Sequence, residues 1–480
     1  MSDKISSGSY TCNSRKDTIK QLNEMCYPPN NEKVYYDSII LSEIIFIEKW
    51  DSFFNSLDRL YSGLNNFDKN ELKYRELLDN NKQNAFQRTI ILPTILAKEV
   101  SKGERAVTQK LDPEFVGIVI TLNVTLPSAI HLQIHTSLNP NISEKINDIL
   151  YSTFGEKIEE FKLLDGTYTS TTSPNNIKFQ KINQIKQELK TKIINFLSSY
   201  FEGSFFTLSK EDISYVPSID LFSINYPLEL EETRQWLADN SHFLQCLDIP
   251  TSIYPLYKFN NYIFAINAYT YNLYSNYSLL ANRKNANADN GYSDIKHFIQ
   301  YPLMSEITFE LIGFDRWVEV EKRKGTSHQL LISNELEHIN KNEFDQVISN
   351  RELIIKYIFN FERFKVEFQK FVMTSTRKYH DFRELNEPHN YLFDDQINKM
   401  INSNIKYIES YVSILNKHSS SNLALKNIYY NKKIQKSVKN LTIFIIILTV
   451  IQVILILSQI DTITSLVSGM ARQLLTYYLP

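Results

Sequence analysis

The sequence predicts an α+β cytosolic domain followed by a long helical stalk and a C-terminal transmembrane helix. Three observations predict it. Short β-type and helical apolar patterns alternate as far as Gly325. Beyond that residue, apolar side chains recur almost only at helical spacings. Finally, Leu441–Leu457 (LTIFIIILTVIQVILIL) is an uncharged apolar run. Extended to Val438 and Ile460, it rises about 30 Å or slightly more as a helix, enough to cross a bilayer core.

In chain order, residues 1–33 are polar, end near Pro28-Pro29 and are expected to form a loose tail. An α+β sensor region is expected over 34–325. Within it, Ile39, Ile40, Ile44, Ile45, Trp50, Phe53, Phe54, Leu57 and Leu60 predict an amphipathic helix from Val34 to Leu64. Ile90–Leu92, Phe115–Val124 and Ala129–His135 read as strands, the last two as an antiparallel pair turning at Pro127. Ser143–Phe161 and Ile177–Tyr200 read as helices. Tyr262–Ile266 and Ile307–Val320 read as strands, the second broken by Gly313, and Asn285–Tyr292 as a polar loop.

A helical stalk is expected over 326–437, with long patterns through Phe344–Phe382 and Ile397–Leu415, separated by Pro388. Leu423–Asn440 contains no proline or glycine, so the helix is expected to enter the membrane span, 438–460, unbroken. Over 461–480, Ile463, Leu466, Val467, Met470, Leu474 and Tyr478 are spaced as an amphipathic helix. An interfacial position is expected for it, with folding back into an oligomer as the alternative.

Composition narrows the function classes. The chain has 480 residues, 43% of them hydrophobic, which suffices for two or three domains. Its 52 basic and 54 acidic residues leave a net charge of −2, so direct nucleic-acid binding is not expected. Cys12, Cys26 and Cys246 are too few and dispersed for a disulfide framework or thiolate zinc site. The first residues contain no signal-peptide apolar region.

His131 and His135 share one face of a strand, where a metal is conceivable, but Leu132 stands where a zinc-protease helix would carry Glu. Solvated or hydrogen-bonded histidines are therefore expected, and no metal. Tyr379-His380-Asp381 lacks the companion histidines of a metal-dependent phosphohydrolase. Lys322, Arg323 and Lys324, after an expected strand, form a candidate loop for a phosphate or nucleotide. No glycine-rich phosphate loop, nucleophile elbow or paired-cysteine motif occurs, so neither catalysis nor a cofactor is expected.

The membrane run carries the most specific pattern. Thr442, Thr449, Gln452 and Gln459 fall within roughly 100° of one helix face. In heptad terms the threonines occupy a and the glutamines d, with Ile445 and Ile456 completing the seam. A side-chain amide facing lipid is costly, so this face is expected to line a pore or meet another helix. Lys432, Lys433, Lys436 and Lys439 flank the N-terminal side, whereas Arg472 is the only basic residue beyond the span. The large N-terminal part is therefore expected in the cytoplasm.

The segment Asn422–Leu457, NLALKNIYYNKKIQKSVKNLTIFIIILTVIQVILIL, together with the preceding stalk pattern, resembles the CorA-type magnesium-transport superfamily. That resemblance implies a pentameric homo-oligomer in a bacterial inner membrane, with stalks and first spans around an ion pore. The family places Gly-Met-Asn directly after its first span, followed by a second span. Here Gly469-Met470 precedes Ala471, about ten residues later than that motif, and no clear second span follows. Divergent CorA-like proteins also act as membrane effectors in bacterial defence, including type III CRISPR systems. By that analogy the enlarged soluble region would sense a nucleotide-type messenger. The alternative is a tethered binding or scaffold protein that uses the C-terminal helix only as an anchor.

Overall fold

In the computed structural model the described residues are 12–62, 88–97, 106–163, 166–225, 233–249, 256–259, 262–266, 276–282, 306–340, 344–374, 383–384 and 392–478. The chain divides into two compact units: Met1–Thr326 with Lys356–Glu409, and Ser327–Ile355 with Ser410–Pro480.

The first unit is built on a mixed sheet whose middle strand is β1 (Tyr35–Phe46). On one side follow β6 (Ala129–Leu138) and β5 (Phe115–Leu126), then β3 (Thr94–Leu96) and β4 (Ala106–Thr108), with β2 (Arg88–Ile91) also paired to β5. On the other side follow β9 (Ser218–Ile224), β12 (Asn276–Asn282), β11 (Tyr262–Ile266), β10 (Leu256–Phe259) and β13 (Arg383–Glu384). The β9–β12 and β3–β4 pairs are parallel; the other pairs are antiparallel. A separate hairpin joins β7 (Lys157–Leu163) and β8 (Gly166–Thr172).

Strand β1 replaces the first half of the helix expected over Val34–Leu64; among its described residues a 3-10 turn at Ile47–Lys49 leads into the α-helix Trp50–Leu60. Tyr35, Tyr36 and four isoleucines favour a strand. Burial on both faces removes the period-two alternation that would have marked one. The β5–β6 pair forms as expected, closing through Leu126 opposite Ala129. The helix expected over Ser143–Phe161 covers only Pro140–Tyr151, before strand β7 begins. Asn139 caps its start by accepting the Asn141 backbone N–H, and Pro140 occupies the first turn, where a missing N–H is harmless.

From Cys12 onward, the expected loose tail is a docked segment. Cys12–Glu24 is helical, Asn23 hydrogen-bonds both the N–H and C=O of Phe154, and Cys26 is buried. Asn285–Tyr292 lies outside the described residues.

Helices contribute to both sheet faces. We label Cys12–Glu24 α1, Trp50–Leu60 α2, Pro140–Tyr151 α3, Pro174–Ser198 α4, Ser204–Leu208 α5, Thr233–Asp239 α6 and Ser241–Cys246 α7. Helices α4 and α5 approach the face carrying Glu43 and Asp220. The opposite face, carrying Ser42 and His131, meets α8 (Glu306–Asn340). The strand expected over Ile307–Val320 is therefore the start of a helix. Its residues are buried almost all round, so periodicity could not discriminate. Gly313 does not break it. Helix α9 (Phe344–Thr374) packs Phe364, Phe368 and Phe371 around Phe314, with ring centroids 5.7–6.1 Å apart. Helix α10 (Phe393–Tyr478) begins in the same unit, where Asp394 accepts from the Thr308 hydroxyl at 2.9 Å. Residues 356–409, expected within the stalk, therefore belong to the sheet-bearing unit.

Candidate functional site

Among the described residues one helical stretch, Lys433–Leu475, is long and apolar enough to cross a membrane, and none of it is buried in the chain. It belongs to α10, which runs through the expected membrane entry point without a break. Thr442, Thr449, Gln452 and Gln459 are all exposed on it. The four are not chemically equivalent. Thr442 and Thr449 donate their hydroxyls to the carbonyls of Val438 and Ile445, each at 2.8 Å. Such back-bonding satisfies a hydroxyl within its own helix. Gln452 and Gln459 have no hydrogen-bond partner among the described residues. Position 432 is helical, and Lys433, Lys436 and Lys439 are exposed before the apolar run.

The expected basic loop is absent: Lys322, Arg323 and Lys324 lie inside α8. Each already has neighbours. Lys322 donates to Asn404 Oδ1 at 3.2 Å and lies 4.9 Å from the Tyr407 ring. Arg323 faces Glu319 at 3.8 Å, and Lys324 pairs with Glu321 at 2.6 Å. A continuous helix uses its own N–H groups internally, so this triplet has no backbone cradle for a phosphate.

His131 and His135 do share one face of β6, and both are buried. Burial holds their imidazoles down to about 3 and about 4, so both rings are neutral. His131 Nε2 lies 2.6 Å from Ser42 Oγ, and His135 Nε2 lies 3.4 Å from Gln133 Oε1. The Nδ1 atoms of both rings and both amide atoms of Asn123, opposite His131 on β5, lack partners among the described residues. Gly313 rests on this polar layer. A Cβ there would stand 2.7 Å from Ser42 Oγ and 2.8 Å from His131 Nε2. Among the described residues no three His, Cys, Asp or Glu side chains are grouped to hold a metal ion. Tyr379-His380-Asp381 lies outside the described residues.

On the opposite sheet face, buried ionisable groups act in positioning. Glu43 accepts from the backbone N–H groups of Ile44, Phe205 and Phe206 at 2.6–2.8 Å, capping the start of α5. Burial raises its carboxyl to about 7 despite those donors. Gly203 makes room for it, since a Cβ would lie 2.0 Å from Glu43 Cδ. Lys186 bridges Asp220 at 2.7 Å and Asp248 at 3.5 Å, while the Tyr36 hydroxyl donates to Asp220 at 2.5 Å. Burial opposes the Lys186 charge, but the two carboxylates outweigh it and raise its pKa. Lys190, donating to Ser218 Oγ at 3.3 Å, is pushed down to about 7 by burial. These residues are separated by up to about two hundred positions, and no linear motif announces them. The one local signal was Glu43, a lone acid in the apolar run SIILSEIIF.

The geometry brings together a buried polar core, and separately an apolar helix with one amide-bearing face. No known family model matches the chain, and no curated protein matches its sequence.

Proposed function

We propose that the protein is a self-associating membrane effector whose C-terminal helix lines the axis of a homo-oligomer and conducts ions there. The carrying observation is the pair Gln452 and Gln459, which lie on one face of an exposed, mostly apolar helix and lack hydrogen-bond partners among the described residues. An unpaired amide in hydrocarbon costs several kcal/mol, whereas an interhelical polar contact contributes about 0.6–2 kcal/mol. Copies meeting along this face satisfy the amides mutually, or hydrate them around a pore. Thr442 and Thr449, already back-bonded, add small volume and register rather than the drive to associate.

In this reading the lysines at 432, 433, 436 and 439 hold the sheet-bearing unit on the cytoplasmic side of a bacterial inner membrane. That unit senses a cytosolic ligand, by the CorA-like analogy a nucleotide messenger, and α10 carries the response to the span. The basic triplet 322–324 is a weak ligand site in this scheme, because its side chains are already engaged within α8 and with α10.

Single-channel recording from the purified full chain in planar bilayers, with candidate nucleotide messengers added, tests the proposal. Conductance that falls at least several-fold with Gln452→Leu is expected. A chain that never conducts, with any cellular toxicity unchanged by Gln452→Leu, leaves only the anchor-and-scaffold alternative.

A further inference from the structure

We propose that residues 463–474 continue the association seam beyond the membrane as a water-exposed helical bundle, its occupant being further copies of this chain in parallel. This rests on the self-association reading above and names what the tail contributes to it. Counting about 100° per residue from Thr442, the residues Thr449, Gln452 and Gln459 fall at roughly −20°, −80° and −100°. On the same count Ile463, Leu466, Val467, Met470 and Leu474 fall at roughly −60°, −120°, −20°, −80° and −40°. The tail's apolar stripe therefore continues the face that is polar in the span. The far side inverts in the opposite sense. There Ile443, Ile447, Ile451 and Ile454 of the span, with Ser458 the one polar exception, give way to Ser465, Ser468, Gly469 and Arg472 of the tail.

A change of solvent explains both inversions. In lipid the face needing cover is the polar one; in water it is the apolar one. A single set of neighbours on one side of a continuous helix supplies both covers. The five apolar tail residues are 59–61% exposed, so nothing among the described residues covers them. A tail lying flat on the bilayer would need a sharp turn near Asp461. Yet α10 runs to Tyr478, with no proline or glycine between Leu441 and Ser468. Such a tail also favours a Lys/Arg-rich polar face, and only Arg472 is present. Charge placement fits parallel copies. Positions 461 and 472, the charged ones in this stretch, fall at roughly 100° and 120°, away from the seam, so like charges do not meet there.

Cysteine cross-linking of the full chain in membranes tests this, with the unmodified chain as background. Under copper-phenanthroline oxidation, Ile463→Cys, Met470→Cys and Leu474→Cys are expected to give disulfide-linked dimers several-fold above Ser465→Cys and Ser468→Cys. Gln452→Cys reports the span. Cross-linking at 452 without any at 463, 470 or 474 overturns the tail bundle but spares self-association; no cross-linking at any position overturns both. A fluorophore at position 470 that is strongly quenched by lipid-attached nitroxides places the tail in the membrane interface and also overturns the bundle.

Discussion

At the residue scale, the neutral histidines of β6 make stability depend on pH. Their folded pKa values, about 3 for His131 and about 4 for His135, lie below the ordinary 6.5 because burial disfavours the imidazolium. The unfolded chain therefore binds more protons between these values. Their contribution to stability is complete above 6.5 and is lost as pH falls through that value toward the folded pKa. Each can remove up to about 1.4 kcal/mol per pH unit in that window. Glu43 and Asp315, both raised to about 7 by burial, act in the opposite direction, because their protonation on acidification relieves a buried charge. Wild-type stability alone would mix these effects. The difference between wild type and His131→Gln isolates one ring. From pH 7 to pH 5, thermal unfolding in detergent should show wild-type Tm falling relative to the variant, and a pH-independent difference would refute the assignment.

At the element scale, helix α8 depends on its glycine. In the sequence Gly313 reads as a break in a strand, whereas its missing side chain lets a helix touch the central sheet. Gly313→Val should cost about 1–3 kcal/mol by overpacking, although it removes glycine's helix penalty. The contact atoms belong to a short serine and a buried imidazole, neither of which is a long side chain able to swing clear. A lowered Tm with a retained helical circular-dichroism signal is the expected result; an unchanged Tm would remove Gly313 from the interface. The helix expected at β1 failed for a related reason. A strand buried on both faces loses its alternation, and IILSEIIF then satisfies helical spacing as well as strand propensity.

At the scale of the whole molecule, the proposed span either associates or merely anchors. Replacing 438–460 with an unrelated polyleucine span of equal length preserves hydrophobic length while deleting both glutamines. The replaced protein should remain in membranes after alkaline carbonate washing yet lose its oligomer in mild detergent. An oligomer that survives would place association elsewhere and return the helix to an anchoring role. The length and apolarity of the C-terminal helix, its polar face and the β5–β6 hairpin were all legible in the sequence, because each depends on residues close in the chain. The basic triplet is visible too, but its helical setting is not, because a loop there depends on the strand expected before it, which is the start of α8.

Local chemistry, then, determined the membrane-competent helix: an uncharged run of this length has few other stable environments, and its solvent dictates which face needs a partner. Only the tertiary structure decided that Ser42 and His131 meet beneath Gly313, that Glu43 caps α5 and that Lys186 is neutralised by Asp220 and Asp248. Those pairings arise because burying a polar group demands a partner, and the fold supplies it from whichever distant strand or helix lies within reach.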